Sequence, residues 1–305
     1  MPCVGLIIND GKDLALSTAD TIEARLKEAG YDVLRASSAA GMVGFANPEQ
    51  HLRSKGHVAC VPPHFEAGMD MAMVLGGDGT LTSIAHSVDG NTPVMGVNSH
   101  PRVGDEDGSY GFYMGSDPST FAEDVRAAID GHAIVNVLPR LQAEIETTSG
   151  NVIRCDPALN DLLVANTHQY QPSKYRIQRG GIDSMQHSSG CLFSTFLGQG
   201  AWFRHVADIE GTRFDPSEID DHYLYVARDL PRSDRADDGS YWEWVSEPTV
   251  ITSDMHRGYV VSDGWDETHF TRGATLTVGL NGPSLQLLTF RGEILDGVSQ
   301  FISDA

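Results

Sequence analysis

Lysine is almost absent from this chain. Of its 21 basic residues only 4 are lysine and 17 are arginine, against 42 acidic residues, so the net charge is −21. Such a charge repels nucleic acid and anionic membrane surfaces, and we expect neither as a partner. An acidic excess with little lysine suggests adaptation to high salt, where screening relieves self-repulsion. An ordinary acidic cytosolic enzyme is the alternative.

Cysteine is also scarce, and long apolar runs are missing. The four cysteines, Cys3, Cys60, Cys155 and Cys191, form no CxxC pair, which argues against a disulfide framework and a zinc cluster. The 12 histidines lack a ligand spacing such as HExxH, so we predict no metal site built from protein ligands. Without a basic leader or a membrane-length apolar run, we expect a soluble, cytoplasmic protein.

What the chain does contain is a glycine-rich turn between an apolar run ending at Leu75 and a helical pattern beginning at Leu81. The turn consists of Gly76, Gly77, Asp78, Gly79 and Thr80. Backbone amides at a strand-to-helix turn bind phosphate, and glycine lets a ligand come close. A carboxylate would repel phosphates unless a metal ion intervenes or it takes a proton from an attacking hydroxyl. The turn therefore indicates phosphoryl transfer.

A purely geometric role for these glycines is the alternative interpretation. In that case Gly77 would adopt a backbone conformation that only glycine tolerates, and Gly77→Ala would cost folding stability.

The 305 residues show two different patterns of predicted secondary structure. Over residues 1–132, buried-type strands such as Val4–Ile8 alternate with helices such as Ser17–Ala29, which predicts a Rossmann-like α/β domain with a parallel sheet. Over residues 133–285, short alternating strands and turns predict an all-β, sandwich-like domain. A helical pattern from Glu293 to Ile302 predicts that residues 286–305 form a C-terminal helix that packs back on the first domain.

Several elements follow from local patterns. A helix is predicted over Ser119–Ile129 and a hairpin around the turn Gly150-Asn151. The remaining strand-like runs are Leu159–Ala165, Cys191–Thr195, Tyr223–Ala227, Thr249–Thr252, Tyr259–Val261 and Leu276–Leu280.

An ordered set of short motifs resembles the NAD kinases. In chain order the motifs are the glycine-rich turn, Gly96-Val97-Asn98, Gly111-Phe112-Tyr113, Asn160-Asp161, and the run from Ser188 through Thr195 and Gly198 to Ala201-Trp202. The turn alone also occurs in lipid kinases, whereas the ordered set is more specific and extends from Met71 to about Asp266. The long segment from Asn98 to Gly111 and the Ala201-Trp202 ending resemble the mitochondrial-type branch of the family.

The resemblance implies an α/β domain joined to a β-sandwich-like domain, with the dinucleotide bound between them. It implies transfer of the terminal phosphoryl group of ATP, with Mg²⁺, to the 2′-hydroxyl of the adenosine ribose of NAD. Asp78 would activate that hydroxyl or help to place Mg²⁺. The implied nucleotide-binding residues are Gly76, Gly77, Gly79, Thr80, Asn98, Tyr113, Asn160, Asp161, Thr195, Gly198, Gly200, Ala201 and Trp202. We also expect a homo-oligomer, either a dimer or a tetramer.

Within this set, Asn160-Asp161 would hold ribose hydroxyls, and Asn98 and Tyr113 would lie near the dinucleotide. Asp263-Gly264 resembles a late Asp-Gly turn of the family. Simpler interpretations are a turn before a strand for Asn160-Asp161, a strand-end cap for Asn98, and a packing role for Tyr113 and for Trp202.

The chain departs from the family pattern on the acceptor side. Ser188-Ser189-Gly190 stands where the family has Gly-Asp-Gly, and the run from Thr195 to Trp202 has lost hydroxyl groups. A kinase that acts on a lipid, a nucleoside or a sugar therefore remains an alternative, as does a non-catalytic nucleotide-binding regulator. The charge argues against the lipid, and the intact Asp78 argues against the regulator.

Overall fold

The computed structural model describes residues 3–9, 13–37, 70–86, 88, 90–102, 108–206, 219–235 and 241–295. The contacts divide the chain into two compact units, one of Met1–Leu138 with Ser284–Ala305 and one of Pro139–Pro283. Cys60 lies outside the described residues, and so does the predicted C-terminal helix from residue 296 onward.

The strands are β1 (Cys3–Ile8), β2 (Asp32–Ser37), β3 (Met71–Gly76), β4 (Val94–Asn98), β5 (Ile134–Leu138), β6 (Gln142–Glu146), β7 (Val152–Arg154), β8 (Asp161–Asn166), β9 (Ser173–Arg179), β10 (Ile182–Ser188), β11 (Cys191–Ser194), β12 (Tyr223–Ala227), β13 (Trp242–Val245), β14 (Thr249–Ser253), β15 (Arg257–Ser262), β16 (Trp265–Thr271), β17 (Thr275–Gly279) and β18 (Leu285–Thr289). The α-helices are α1 (Asp13–Glu28), α2 (Asp78–Ala85) and α3 (Phe121–Ile129). Short 3₁₀ turns occupy Leu197–Gly200, Phe203–His205 and Arg232–Asp234.

The first unit is an α/β fold, as the alternation of strands and helices predicts. Its sheet has the order β2-β1-β3-β4-β18-β5, and all pairs are parallel except β18 with β5. The strands β1 and β3 are continuous apolar runs because a parallel sheet is covered on both faces. Ala15, Ala19 and Ile22 of α1 pack on it, fully buried. In the structure β5 belongs to this sheet, whereas the sequence pattern predicted that the second domain begins at residue 133 and therefore includes β5.

The second unit is a β-sandwich. Its two six-stranded antiparallel sheets have the orders β10-β9-β14-β17-β6-β7 and β13-β12-β11-β8-β15-β16. Ile177 and Leu276 of the first sheet share one buried core with Val164 and Phe193 of the second. The all-β, sandwich-like prediction is therefore confirmed.

Among the described residues, no helix is long and apolar enough to cross a membrane.

Candidate functional site

The glycine-rich turn lies at the carboxyl edge of the first sheet. Gly76 ends β3 and is in register with Asn98, which ends β4. Ligands of parallel α/β sheets bind at this edge, because the turns that follow neighbouring strands meet there. Asn9 follows β1 at the same edge, and its side-chain amide donates a hydrogen bond to Thr80 Oγ1 at 3.4 Å. The fold thus brings the first two sequence motifs together.

Asp78 is the first residue of α2, and its carboxylate accepts three hydrogen bonds. Oδ2 accepts from Ser109 Oγ at 3.0 Å and from Gly111 N–H at 2.9 Å. Oδ1 accepts from Tyr113 N–H at 2.8 Å. The carboxylate therefore fastens the segment 109–113 to the start of α2. Because a carboxylate has about four lone-pair positions, Oδ1 retains one that no donor of the described residues fills.

Gly76 and Gly77 are explained by close packing. A Cβ on Gly76 would lie 2.5 Å from Thr80 Oγ1, and one on Gly77 would lie 2.7 Å from Ser109 Cβ. Gly77 has φ −126° and ψ −175°, an extended conformation that any residue adopts. The prediction that its backbone needs glycine is therefore wrong, and lack of space is the reason for glycine here.

Gly79 differs from its two neighbours. A Cβ at Gly79 would have no atom within 4 Å, and the residue is exposed. Its amide N–H has no acceptor among the described residues. Nothing in the described protein requires glycine here, so the open space at the start of α2 suits a ligand that approaches the backbone.

The glycines provide a matched pair of variants. Gly77→Ala is expected to destabilise the protein by about 1–3 kcal/mol, because the new methyl group overlaps Ser109. Gly79→Ala should keep or raise the thermal midpoint, since alanine favours helix by up to about 1 kcal/mol, but it should weaken the ATP binding that the sequence resemblance implies. Thermal midpoints and ATP titrations of both variants check this. Unchanged ATP affinity in Gly79→Ala would contradict a phosphate at this position.

Asn98 and Tyr113 lie beside Asp78 but are enclosed by protein. Asn98 is 5% exposed, its Nδ2 donates to Ser109 O at 3.2 Å, and its Oδ1 accepts from His100 N–H at 3.2 Å. Tyr113 is 2% exposed and meets the Phe112 ring edge-on at 4.9 Å. In this structure both side chains support the segment that holds Asp78.

The second unit contains a similar arrangement around Asp263. Its carboxylate accepts hydrogen bonds from Leu159 N–H at 2.7 Å, Asn160 N–H at 2.7 Å and Asp161 N–H at 2.9 Å. Asp263 and Gly264 have φ of +49° and +76° and form the two-residue turn between β15 and β16, a geometry that favours Asp-Gly. The late Asp-Gly turn thus fixes the backbone of the predicted hydroxyl-binding pair.

Thr195 and Gly198 pack against the same segment. Thr195 is 2% exposed, and its hydroxyl donates to Leu159 O at 2.6 Å and accepts from Gly198 N–H at 3.0 Å. A Cβ on Gly198 would overlap the Asn160 carbonyl group. The two residues therefore join the loop after β11 to Asn160 and fix its position.

The end of this loop is more open. Gly200 ends a 3₁₀ turn, and Ala201 N–H donates to Gly198 O at 2.9 Å. Trp202 is 39% exposed, and the guanidinium group of Arg228 lies 5.0 Å from its ring centroid. Trp202 therefore presents an aromatic surface, in contrast to Tyr113.

Asp161 has an unusual protonation state. The residue is only 6% exposed, and this burial, together with the negative charge of Asp263, raises the pKa of the Asp161 carboxyl to about 8. At neutral pH the group keeps its proton and can donate a hydrogen bond as well as accept one. Such a group suits a sugar hydroxyl, which also does both.

The sequence did not identify Ser109 or Asn9 as site residues. It pointed to Asp263 only through the resemblance of the Asp263-Gly264 turn to a late turn of the family. Asn9 could have been found, because it directly follows a buried strand at the edge where Asn98 ends the neighbouring one. No local signal distinguishes Ser109 from any other loop serine.

Comparisons with known proteins agree with this architecture. Residues 4–133 match the ATP-NAD kinase N-terminal domain. A curated relative named NAD kinase 2 from Prochlorococcus marinus (strain MIT 9313) is 57% identical over 100 residues, which cover 32% of this chain and 33% of the relative. NAD kinase 2 from Synechocystis sp. is 37% identical over 83 residues, 27% of either chain. The match thus spans a third or less of the length of these relatives.

Solved structures share the fold over nearly the whole chain. An NAD kinase from Archaeoglobus fulgidus in complex with ATP has a TM-score of 0.67 at 15% identity and covers 100% of both chains. Yeast NADH kinase complexed with NADH has a TM-score of 0.72 at 13% identity and covers 99% of this chain and 88% of its own. The resemblance to the mitochondrial-type branch stays a prediction. Residues 4–133 are thus similar to the N-terminal domain of ATP-NAD kinases, and the named relatives carry the same similarity over a third or less of their length.

Proposed function

We propose that this protein is an ATP-dependent NAD kinase, which transfers the terminal phosphoryl group of ATP to the 2′-hydroxyl of the adenosine ribose of NAD and so forms NADP. The observation that carries the proposal is Asp78, which lies within the matched domain. Its carboxylate is held by three hydrogen bonds and lies beside the open Gly79. This is the arrangement of an acid-base group next to a phosphate site.

The residues named in each unit have separate chemical tasks in this proposal. The backbone at Gly79 gives a phosphate oxygen close access to the start of α2. Oδ1 of Asp78 accepts the proton of the attacking hydroxyl in its remaining lone-pair position. In the second unit, Asn160 and Asp161 bind sugar hydroxyls, with the protonated Asp161 as a donor.

Mg²⁺ is expected to enter with ATP. The described residues contain no group of three or more His, Cys, Asp or Glu side chains that could hold a metal ion. Mg²⁺ in kinases is bound mainly by substrate phosphates and water, with one or two carboxylates. If Asp78 placed the ion instead of accepting the proton, the remaining position of Oδ1 would supply one such ligand. When bound, the ion would supply positive charge to the transferred phosphoryl group.

Incubation of the purified protein with ATP, Mg²⁺ and NAD is expected to yield NADP, measured with an NADP-specific dehydrogenase. Parallel reactions contain NADH, nucleosides, sugars or lipids as acceptors, because the altered run from Ser188 to Trp202 bears on the acceptor. Turnover of another acceptor without NADP would assign the function to that acceptor. Nucleotide binding with no turnover of any acceptor would indicate a regulator.

We further propose that the enzyme works in the cytoplasm, at high salt and as a homo-oligomer, a dimer or a tetramer. The net charge of −21 supports the salt requirement, because unscreened carboxylates repel one another in the folded state.

The thermal midpoint should therefore rise between dilute buffer and molar potassium chloride. The Debye length shortens from about 30 Å at 0.01 M to about 3 Å at 1 M, so the added salt largely removes the repulsion among surface carboxylates. An uncharged osmolyte at equal osmolality is the control, since it cannot screen charge. A midpoint that stays flat or falls with salt contradicts adaptation to high salt and leaves the kinase proposal unaffected.

A further inference from the structure

Ser109 binds Asp78 through both the backbone and the side chain of that residue. Ser109 Oγ accepts a hydrogen bond from Asp78 N–H at 3.0 Å and donates to Asp78 Oδ2 at 3.0 Å. It also accepts from Gly111 N–H at 3.2 Å. The one donor and one acceptor position of the hydroxyl group are thereby used, and its second acceptor position shares the Gly111 N–H with Asp78 Oδ2, so the rotation of this hydroxyl is fixed.

The backbone of Ser109 is fixed as well. Its N–H donates to His100 O at 2.9 Å, and its carbonyl oxygen accepts from Arg102 N–H at 3.0 Å and from Asn98 Nδ2 at 3.2 Å. Asn98 is in register with Gly76 in the sheet. The Ser109 hydroxyl is thus connected through the backbone to the strand ends that carry the turn.

These contacts make the two oxygens of Asp78 unequal. Oδ2 accepts from Ser109 Oγ and from Gly111 N–H, while among the described residues Oδ1 accepts only from Tyr113 N–H. With about two lone-pair positions on each oxygen, Oδ2 is saturated and Oδ1 has one position free. Ser109 therefore decides which oxygen of the carboxylate is available to a substrate.

We propose that Ser109 is a positioning residue for Asp78, which saturates Oδ2 and so directs the free lone pair of Oδ1 to the reacting hydroxyl. This inference rests on the proposed function, because it assigns to Asp78 the proton acceptance of phosphoryl transfer. Ser109 itself acts through Asp78 and takes no part in the chemistry.

The test is a double-mutant cycle of Ser109→Ala, Asp78→Asn and the double variant. Ser109→Ala should lower kcat roughly 10-fold or more, because small misplacements of a catalytic group cost up to about 100-fold, and KM for ATP and NAD should change less than about two-fold. In the Asp78→Asn background, Ser109→Ala should have no further effect on kcat. A merely structural serine would lower kcat by the same factor in both backgrounds.

Ser99→Ala is the matched control. The Ser99 hydroxyl donates to Gly76 O at 3.4 Å, so it touches the same turn without contacting Asp78. We expect its kcat to stay near that of the wild type. A loss equal to that of Ser109→Ala would overturn the positioning role, because general loosening of the turn would then explain both.

The thermal midpoints of the same cycle separate this inference from the proposed function. A wild type that makes no NADP refutes the function, and the midpoints then decide whether Ser109 and Asp78 act as one unit. Single-variant shifts that together exceed the shift of the double variant support the positioning contact. Additive shifts, or additive losses in kcat, overturn it.

Discussion

Asp78→Asn is expected to slow phosphoryl transfer by roughly 100-fold or more, the range for loss of an acid-base group. The amide keeps the size of the side chain but removes its charge. ATP affinity should hold or improve, because a negative charge beside the phosphates has gone. The structure adds a second effect. In the wild type, Gly111 N–H donates to Oδ2 at 2.9 Å. An amide nitrogen in place of Oδ2 would set two donors against each other, so the thermal midpoint should fall.

Asp124→Asn separates these two effects. Asp124 is a buried acid of the same unit, 3% exposed, whose two oxygens accept from Arg291 Nη2 at 2.7 and 2.9 Å. Loss of its charge should lower the thermal midpoint, because Arg291 loses the carboxylate with which it forms an ion pair, and should leave kcat per folded molecule unchanged. An Asp78→Asn protein that turns over within a few-fold of the wild type would remove the catalytic role assigned to Asp78.

The sequence predicted those strands whose burial is visible as a continuous apolar run. β12 has the predicted limits Tyr223–Ala227, and all five of its residues are buried. β10, Ile182–Ser188, was not predicted, because the apolar residue Ile182 is exposed whereas the polar residues Gln186 and Ser188 are buried. Gln186 accepts from Tyr225 Oη at 2.9 Å, and Ser188 Oγ lies 2.7 Å from Tyr175 Oη. A polar network in the core thus hides the usual alternation.

The site shows the same division between what sequence can and cannot predict. Gly76 and Asn98 meet because the ends of neighbouring parallel strands meet, and a strand prediction contains that information. The contacts of Ser109 with Asp78 and of Asp263 with Leu159 join residues 31 and 104 positions apart. They depend on how loops fold back, and a loop serine or aspartate has no local pattern that marks it as a tether.

The pH dependence of stability should change most in Asp161→Asn. The pKa of Asp161 is raised from 3.8 to about 8 in the folded protein, so the folded state holds this proton more tightly than the unfolded chain does. The resulting stabilisation is complete below pH 3.8 and is lost as the pH rises to about 8. Across this window the slope approaches about 1.4 kcal/mol per pH unit. Asparagine cannot titrate, and the variant should become the more stable protein as the pH passes through this range.

Urea unfolding of both proteins at a series of pH values measures this difference. Asp183→Asn is the control, since Asp183 is an exposed residue of β10 whose pKa is lowered, first by its hydrogen bond with Arg176. The ionised Asp183 carboxylate contributes its full stabilisation above its ordinary pKa of 3.8 and loses it as the pH falls below that value. The difference in stability between Asp183→Asn and the wild type should therefore be constant above pH 5. A difference for Asp161→Asn that is equally constant between pH 5 and pH 9 would show that Asp161 is ionised in the folded protein. It would then lack the proton that makes it a donor to sugar hydroxyls.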